Sequence, residues 1–374
     1  MSNARKLADN LPTEGHFGNR NLIINGSQNV NQRGNRTGLT GITHGTDRFE
    51  IAVSGRDELV YSIAQDSDVP SGYGFANSLK FTTTTAESAI ASDEYFDIWQ
   101  QIEAQNLQHL AYGTSSAKKV TLSFWVKSSV TGTFCVGLYK DDAAGSLTNQ
   151  IHNKTYTISS ASTWEHKTIT FEANTLTGGG MVDDSGVGLY VTWHLAVGSN
   201  FDSGSSTSSG WANYTTTNWC EPNTTDAVIT TTNATFQLTG VQLEVGSQAS
   251  PFEHEPYETT LRKCQRYFYK VTGLPNGKHI GSVVMRDNQY FYGYPRSFPT
   301  PMRSPPTLTY SGVRLYVGDH TNGFTTMTLA AAETDAFSFN GSAAGAVTAA
   351  ETGHTGLLYM DTTSSNHVTF NAEL

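Results

Sequence analysis

An all-β chain is what this sequence predicts: a jelly-roll β-sandwich, then a short linking helix, then a second and smaller β-domain. Three observations lead there. Apolar residues alternate with polar ones at a period of two over many short segments, which lines them up on one face of a strand and would scatter them around a helix. Glycine, serine, asparagine and threonine crowd the gaps between those segments, as in "FTTTTAES" and "NYTTTNW", and favour strands and turns. The third is length: 374 residues allow two domains, each with its own core, without disulfide or metal support.

Residues 1–19 stand apart. "NARKLADNL" has too little apolar content for a stable helix and "PTEGHFGNRN" breaks it, so the segment reads as an arm that orders only on docking. Residues 20–255 form the sandwich. "RFEIAV" turns Phe49, Ile51 and Val53 inward, and "YFDIWQQIEA" sets Phe96, Ile98 and Ile102 against Tyr95, Asp97 and Trp99. "VTLSFWVK" and "TFCVGLYK" bury Val120, Leu122, Phe124 and Val126, then Phe134, Val136 and Leu138. The longest alternation runs Val187, Leu189, Val191, Trp193, Leu195 and Val197. In "FQLTGVQLEVG" the parity changes between Leu238 and Val241. A β-bulge at Thr239–Gly240 would restore one inward face from Phe236 to Val245.

Residues 256–271 are expected to be helical, with Leu261, Cys264, Phe268 and Val271 on one stripe and Gly273 as the stop. Residues 272–374 return to short strands, and the four prolines of "SFPTPMRSPPTL" belong at an edge or corner.

Composition excludes several function classes. A net charge of −10 with no basic block argues against binding nucleic acid. No apolar run approaches the roughly 20 residues of a membrane span, and the start of the chain lacks a signal peptide's apolar stretch, so no membrane insertion is expected and synthesis is expected in a cytoplasm. Cys135, Cys220 and Cys264 have neither disulfide nor zinc-motif spacing, and read as reduced thiols packed as small hydrophobes. No nucleophile elbow, zincin motif or phosphate loop occurs, and the Asp183–Asp184 and Asp93–Glu94 pairs read as solvated loop acids, so no enzyme is expected.

One loop has the composition of a sugar platform. "GSNFDSGSSTSSGWANYTTTNWCEPN" carries Phe201, Trp211, Tyr214 and Trp219 among polar residues; sugar rings stack on aromatic faces while amides and carboxylates take their hydroxyls. The same rings equally suit pinning the loop to its own sandwich or to another protomer, the commoner use of such residues. A second aromatic set, Trp125, Tyr139, Tyr190 and His194, faces outward; it would form a patch on one sheet face if its strands are neighbours, but burial under a loop or a subunit is the expected use.

Blocks in a fixed order, "NLIINGSQNVNQRG", "QQIEAQNLQHL", "VTLSFWVKSSVTGTF", "LTGVQLEVGSQASPFEH", "LRKCQRYFYK", "FPTPMRSPPTLT" and the ending "NAEL", resemble a family of structural proteins of tailed, often marine, phages: tail fibre or virion proteins with a jelly roll like that of carbohydrate-binding modules. The likeness runs from about Asn21 to Leu374. It implies a non-enzymatic virion protein made in the host cytoplasm, a homotrimer, and a receptor-binding component that touches host surface polysaccharide; the arm at residues 1–19 lies outside the likeness and is expected to bind other virion proteins. The alternative is a capsid decoration or tail adaptor with no glycan ligand. Modules of this kind often hold a structural Ca²⁺ between first and last strands, where Asn25 and Glu244 stand here; two oxygen donors do not make up the six to eight that calcium takes.

Overall fold

The structure is a computed structural model. It describes residues 19–141, 147–272, 278–287, 289–317, 320–322, 324–343, 353–360 and 366–374. The arm at residues 1–19 therefore falls outside the described residues, apart from Asn19. The chain is all-β and divides into two units, the first spanning most of residues up to Glu255 and the second Pro256–Leu374 together with Val30–Gly34 and Thr46–Arg48.

The first unit has thirteen described strands: β1 (Arg36–Leu39), β2 (Thr43–His44), β3 (Glu50–Ser54), β4 (Val60–Asp66), β5 (Ser78–Thr85), β6 (Tyr95–Glu103), β7 (Val120–Ser128), β8 (Gly132–Lys140), β9 (Gln150–Ile158), β10 (Glu165–Phe171), β11 (Val187–Val197), β12 (Ala212–Asn213) and β13 (Thr235–Val245). They form two antiparallel sheets, of order β1-β4-β5-β13-β7-β10 and β12-β9-β8-β11-β6-β3-β2. The jelly-roll core lies between them. Leu122, Phe124 and Val126 from one sheet and Val136, Leu138, Val191 and Trp193 from the other are fully sealed from solvent. Trp193 meets Phe124 edge-on at 5.7 Å, so large rings span the interlayer gap. Every inward residue expected on β6, β7 and β8 is buried.

The bulge is present where the alternation breaks. The β13–β7 register shifts between Thr239 and Gln242, and Gly240 takes φ +61°. Phe236, Leu238, Val241 and Leu243 are all buried, whereas Val245 is exposed beyond the sandwich edge. A Cβ on Gly240 would lie 2.6 Å from Phe75 Cζ and 3.0 Å from Trp125 Cδ1. Gly240→Ala meets both left-handed backbone strain and a clash, and is expected to destabilise the first unit by about 1–3 kcal/mol, read from urea unfolding followed by tryptophan fluorescence. All six tryptophans lie in that unit.

In the second unit the helix is shorter than its apolar stripe suggested. It runs Tyr257–Gln265, and Phe268–Thr272 is a strand. The sequence Phe-Tyr-Lys-Val-Thr satisfies both periods, and a full antiparallel ladder with His367–Asn371 decides for the strand. His367–Asn371 pairs on its other edge with Thr307–Ser311. A larger antiparallel sheet holds the remaining strands around Val283, Leu315, Phe339 and Leu358. Among the described residues no helix is long and apolar enough to cross a membrane.

An aromatic groove on the outer sheet face

The period-two pattern that fills the core also decides what faces outward. On the seven-stranded sheet the opposite parity carries Tyr95, Asp97 and Trp99 on β6, Tyr190, Thr192 and His194 on β11, and Cys135, Gly137 and Tyr139 on β8. Register sets these in rows. Asp97, His194 and Cys135 are cross-strand partners, as are Trp99, Thr192 and Gly137, and Tyr190 pairs with Tyr139.

The loop after β11 folds over one end of this face. It opens with a short helix, Ser199–Asp202, and closes through a 3₁₀ turn, Thr216–Asn218, in which Asn218 Oδ1 accepts the Thr215 backbone N–H at 2.9 Å. Glu221 accepts the Thr207 N–H at 2.7 Å and the Ser206 hydroxyl at 2.5 Å, and the Cys220 N–H donates to the Phe201 carbonyl at 3.0 Å. Asn153 Nδ2 donates to the carbonyls of Asn218 and Trp219 at 3.0 and 3.2 Å, and so ties the loop to β9. Long as it is, the loop is held by specific bonds.

Sheet and loop together enclose a groove of about 220 Å³ lined by Tyr95, Trp99, Tyr139, Asp141, Tyr190, Phe201, Tyr214 and Trp219. Its rings support one another edge-on: Tyr95 with Phe201 at 5.3 Å, Trp99 with Tyr190 at 5.2 Å, Tyr139 with Tyr214 at 4.9 Å and with Trp219 at 5.2 Å. All but Trp219 are half-buried, with ring surface open to the groove. Trp219 Nε1 donates to Asp97 Oδ2 at 2.8 Å, which fixes its ring plane. Asn149 Nδ2 donates to the Tyr139 hydroxyl at 2.7 Å. Burial, aided by the charge of Asp141, raises the Tyr139 and Tyr190 phenols above their ordinary range, so both remain hydroxyls at neutral pH.

Of the four loop aromatics singled out in the sequence, Phe201, Tyr214 and Trp219 meet in this groove and Trp211 does not. Trp211 is buried against Tyr112 at 5.4 Å and His152 at 5.8 Å, with Nε1 donating to the Glu172 carbonyl at 2.7 Å; it pins the loop. The outward set is likewise divided. Tyr139 and Tyr190 line the groove and His194 lies under Trp219, while Trp125 belongs to the other sheet and packs on Tyr73 and His166. Tyr95, Trp99 and Asp141 join the site without having been singled out; the alternation around Ile98 had already placed Tyr95 and Trp99 on the outer face.

Glu244 serves the chain itself. Its carboxylate accepts the Ser250 N–H at 2.8 Å, the Ser250 hydroxyl at 2.6 Å and Gln242 Nε2 at 2.9 Å, with Arg20 3.9 Å away, and so clasps the turn after β13. Asn25 is buried in a turn at φ +62°, its carbonyl accepting the Gln28 N–H. In the second unit a cavity of about 100 Å³ of mixed lining lies among Tyr269, Phe337, Phe339 and Phe370, with His279 and Arg296.

No family model matches the sequence, and no curated protein matches it. Among solved structures, the chain is similar to the enzymatically active domain of bacteriophage CBA120 tailspike protein 4, with TM-score 0.33 and 12% identity over 61% of this chain; it spans 22% of that one. It is similar to a family 11 carbohydrate-binding module from Clostridium thermocellum in complex with a β-1,3-1,4-mixed-linked tetrasaccharide, with TM-score 0.28 and 11% identity over 58% of this chain and 98% of that one. A third is the CBM22-1 xylan-binding domain from Paenibacillus barcinonensis Xyn10C, with TM-score 0.24 and 11% identity over 57% of this chain and 94% of that one.

Proposed function

We propose that this chain is a non-catalytic phage virion protein, a tail fibre or receptor-binding component whose first unit holds a segment of host surface polysaccharide in the outer groove. The observation that carries the reading is the groove: seven aromatic rings and one carboxylate, Asp141, gathered between one sheet face and its covering loop. Aromatic faces stack on the C–H faces of sugars, and phenolic hydroxyls and a carboxylate take their hydroxyl groups. The rings are braced by one another and by Asp97 and Asn149, so little ordering entropy is lost on binding. The virion setting rests on the resemblance of the ordered sequence blocks; attachment is assigned to residues 1–19, which lie outside that resemblance. Assembly as a homotrimer has a physical counterpart in the second unit, where Tyr290, Tyr292, Tyr316 and Leu357 stand exposed on one face of the larger sheet. A non-catalytic role suits a groove whose described lining holds a single acid, because glycoside hydrolysis takes a pair of carboxyl groups across the scissile bond.

The test is a glycan array with the intact chain, followed by calorimetry on whatever binds. Trp99→Ala and Tyr214→Ala are each expected to weaken binding about tenfold or more, while Trp211→Phe leaves it unchanged. Binding that survives both groove variants removes the groove from the reading. No binding by the wild-type chain leaves the capsid decoration or tail adaptor, and sugar release on incubation would show an enzyme.

A further inference from the structure

Beneath Trp219 the outer face carries a group of side chains that glycan binding does not use. Cys135 on β8, His194 on β11 and Cys220 in the covering loop bring two sulfurs and an imidazole nitrogen within 4.8 Å of one another, all three residues buried. His194 Nδ1 lies 2.8 Å from Asp97 Oδ1, and Asp97 is fully buried. With Nδ1–H given to the carboxylate, the Nε2 lone pair points the other way, and Nε2 has no hydrogen-bond partner although His194 is only 2% exposed.

A second buried acceptor borders the same space. Asn153 donates both its amide hydrogens to the loop carbonyls, which fixes its orientation, and its Oδ1 is left without a partner. A Cβ on Gly137 would lie 2.2 Å from that oxygen and 3.5 Å from His194 Nε2, so only a glycine keeps the space open. Two buried acceptors without hydrogen-bond partners, beside two buried thiols, form an arrangement that folding alone penalises.

We propose that Cys135, Cys220 and His194 bind a zinc ion, with Asp97 orienting the histidine and the Asn153 oxygen bordering the remaining position. Two thiolates and an imidazole are a zinc donor set, and a carboxylate on the far nitrogen of the histidine is the usual outer support of such a ligand. Zn–S distances of about 2.3 Å and Zn–N distances of about 2.0 Å put two donors on one ion roughly 3.5–3.8 Å apart, which donors already within 4.8 Å reach by small side-chain rotations. Binding releases the thiol protons to solvent and involves no redox change. The ion would join two sheet strands to the loop that carries Tyr214 and Trp219, and so fix one wall of the groove.

The test uses the full chain, reduced, stripped with chelator and titrated with cobalt(II) in place of zinc. One equivalent is expected to give the strong visible bands of a tetrahedral site and thiolate-to-metal charge transfer, and zinc is expected to displace it. Cys220→Ser and Cys135→Ser lose the charge-transfer band; Cys264→Ser, a change in the other unit, keeps it. Asp97→Asn lowers zinc affinity about 10–100-fold. Metal analysis of the wild-type protein, which needs no variant to fold, is expected to give one zinc per chain. The proposal is overturned by no cobalt spectrum in the reduced wild type, by a spectrum that Cys135→Ser and Cys220→Ser leave intact or Cys264→Ser abolishes, or by a native Cys135–Cys220 disulfide in mass spectrometry. None of these readouts depends on glycan binding.

Discussion

Glu373→Ala is expected to destabilise the second unit by about 3–5 kcal/mol, one of the largest effects of any single change in the chain. Glu373 is the shared acceptor for two arginines from the short N-terminal segments that belong to this unit. Arg48 bonds to it directly and Arg33 Nη2 lies 3.2 Å away. Both guanidinium groups are stacked, Arg48 at 3.5 Å from the Tyr267 ring centre and Arg33 at 3.6 Å from that of Phe268. The Arg48 side chain is 2% exposed and that of Glu373 is 6% exposed, so removal of the carboxylate breaks an ion pair at a place that water barely reaches. Asp47 belongs to the same cluster. That carboxyl is pushed up by burial, with Arg33, 3.8 Å away, only partly opposing the shift.

The same cluster ties down the end of the chain. Arg303 donates to the Ala372 and Glu373 carbonyls at 2.9 Å each, and the Ala372 N–H donates to the Tyr267 carbonyl at 2.7 Å. The ladder between Phe268–Thr272 and His367–Asn371 sits next to these anchors. Hydrogen exchange resolved to peptides is the measurement, since tryptophan fluorescence does not see this unit. Amides of His367–Asn371 are expected to exchange roughly 10²–10⁴-fold faster in Glu373→Ala. Arg48→Met combined with Glu373→Leu removes both charges and is expected to cost less than Glu373→Ala alone. Equal costs would mean that packing, not the broken ion pair, sets the effect.

Neighbouring residues along the chain disclose which way a strand's side chains face; they do not disclose which strands lie side by side. That difference accounts for what was legible here. The outer parity of β6 and the outward turn of Tyr139 and Tyr190 followed from alternation alone. That β6, β11 and β8 are adjacent, so that Tyr95, Trp99, Tyr190 and Tyr139 share one groove, depends on a sheet order set by long-range pairing. Trp125 shows the converse: it has the same local pattern and the opposite sheet. The bulge at Gly240 was legible because a parity break and a glycine coincide within three residues. The strand at Phe268–Thr272 was not, because Phe268 and Val271 fit a helical stripe equally well and the deciding partner, His367–Asn371, comes some hundred residues later in the chain. The Cys135, His194 and Cys220 group escaped spacing rules for the same reason, with one member on each of two strands and the third in a loop.

Trp219→Ala is the second large effect expected, and it separates the groove's two supports. The ring is 7% exposed and lies 5.2 Å from Tyr139, 5.9 Å from Tyr214 and 6.4 Å from Trp99. Truncation leaves a cavity between loop and sheet and deprives buried Asp97 Oδ2 of its indole donor. A buried aromatic-to-alanine change costs about 3–5 kcal/mol, and the loss of a donor to a carboxylate alone about 1.5–3 kcal/mol. Trp219→Phe keeps a ring in place and gives up only the N–H, so its cost should fall in the lower range. Glycan affinity is expected to divide differently: Trp219→Ala lets Tyr214 and Phe201 move and lowers affinity about thirtyfold or more, whereas Trp219→Phe keeps the wall and stays within a few-fold of the wild type. Urea unfolding supplies the first comparison and calorimetry with the array-selected glycan the second. If Trp219→Phe loses as much affinity as Trp219→Ala while keeping most of its stability, the indole N–H matters to binding beyond bracing the ring, and the groove recognises its ligand through the Asp97–Trp219 bond as well as through aromatic faces.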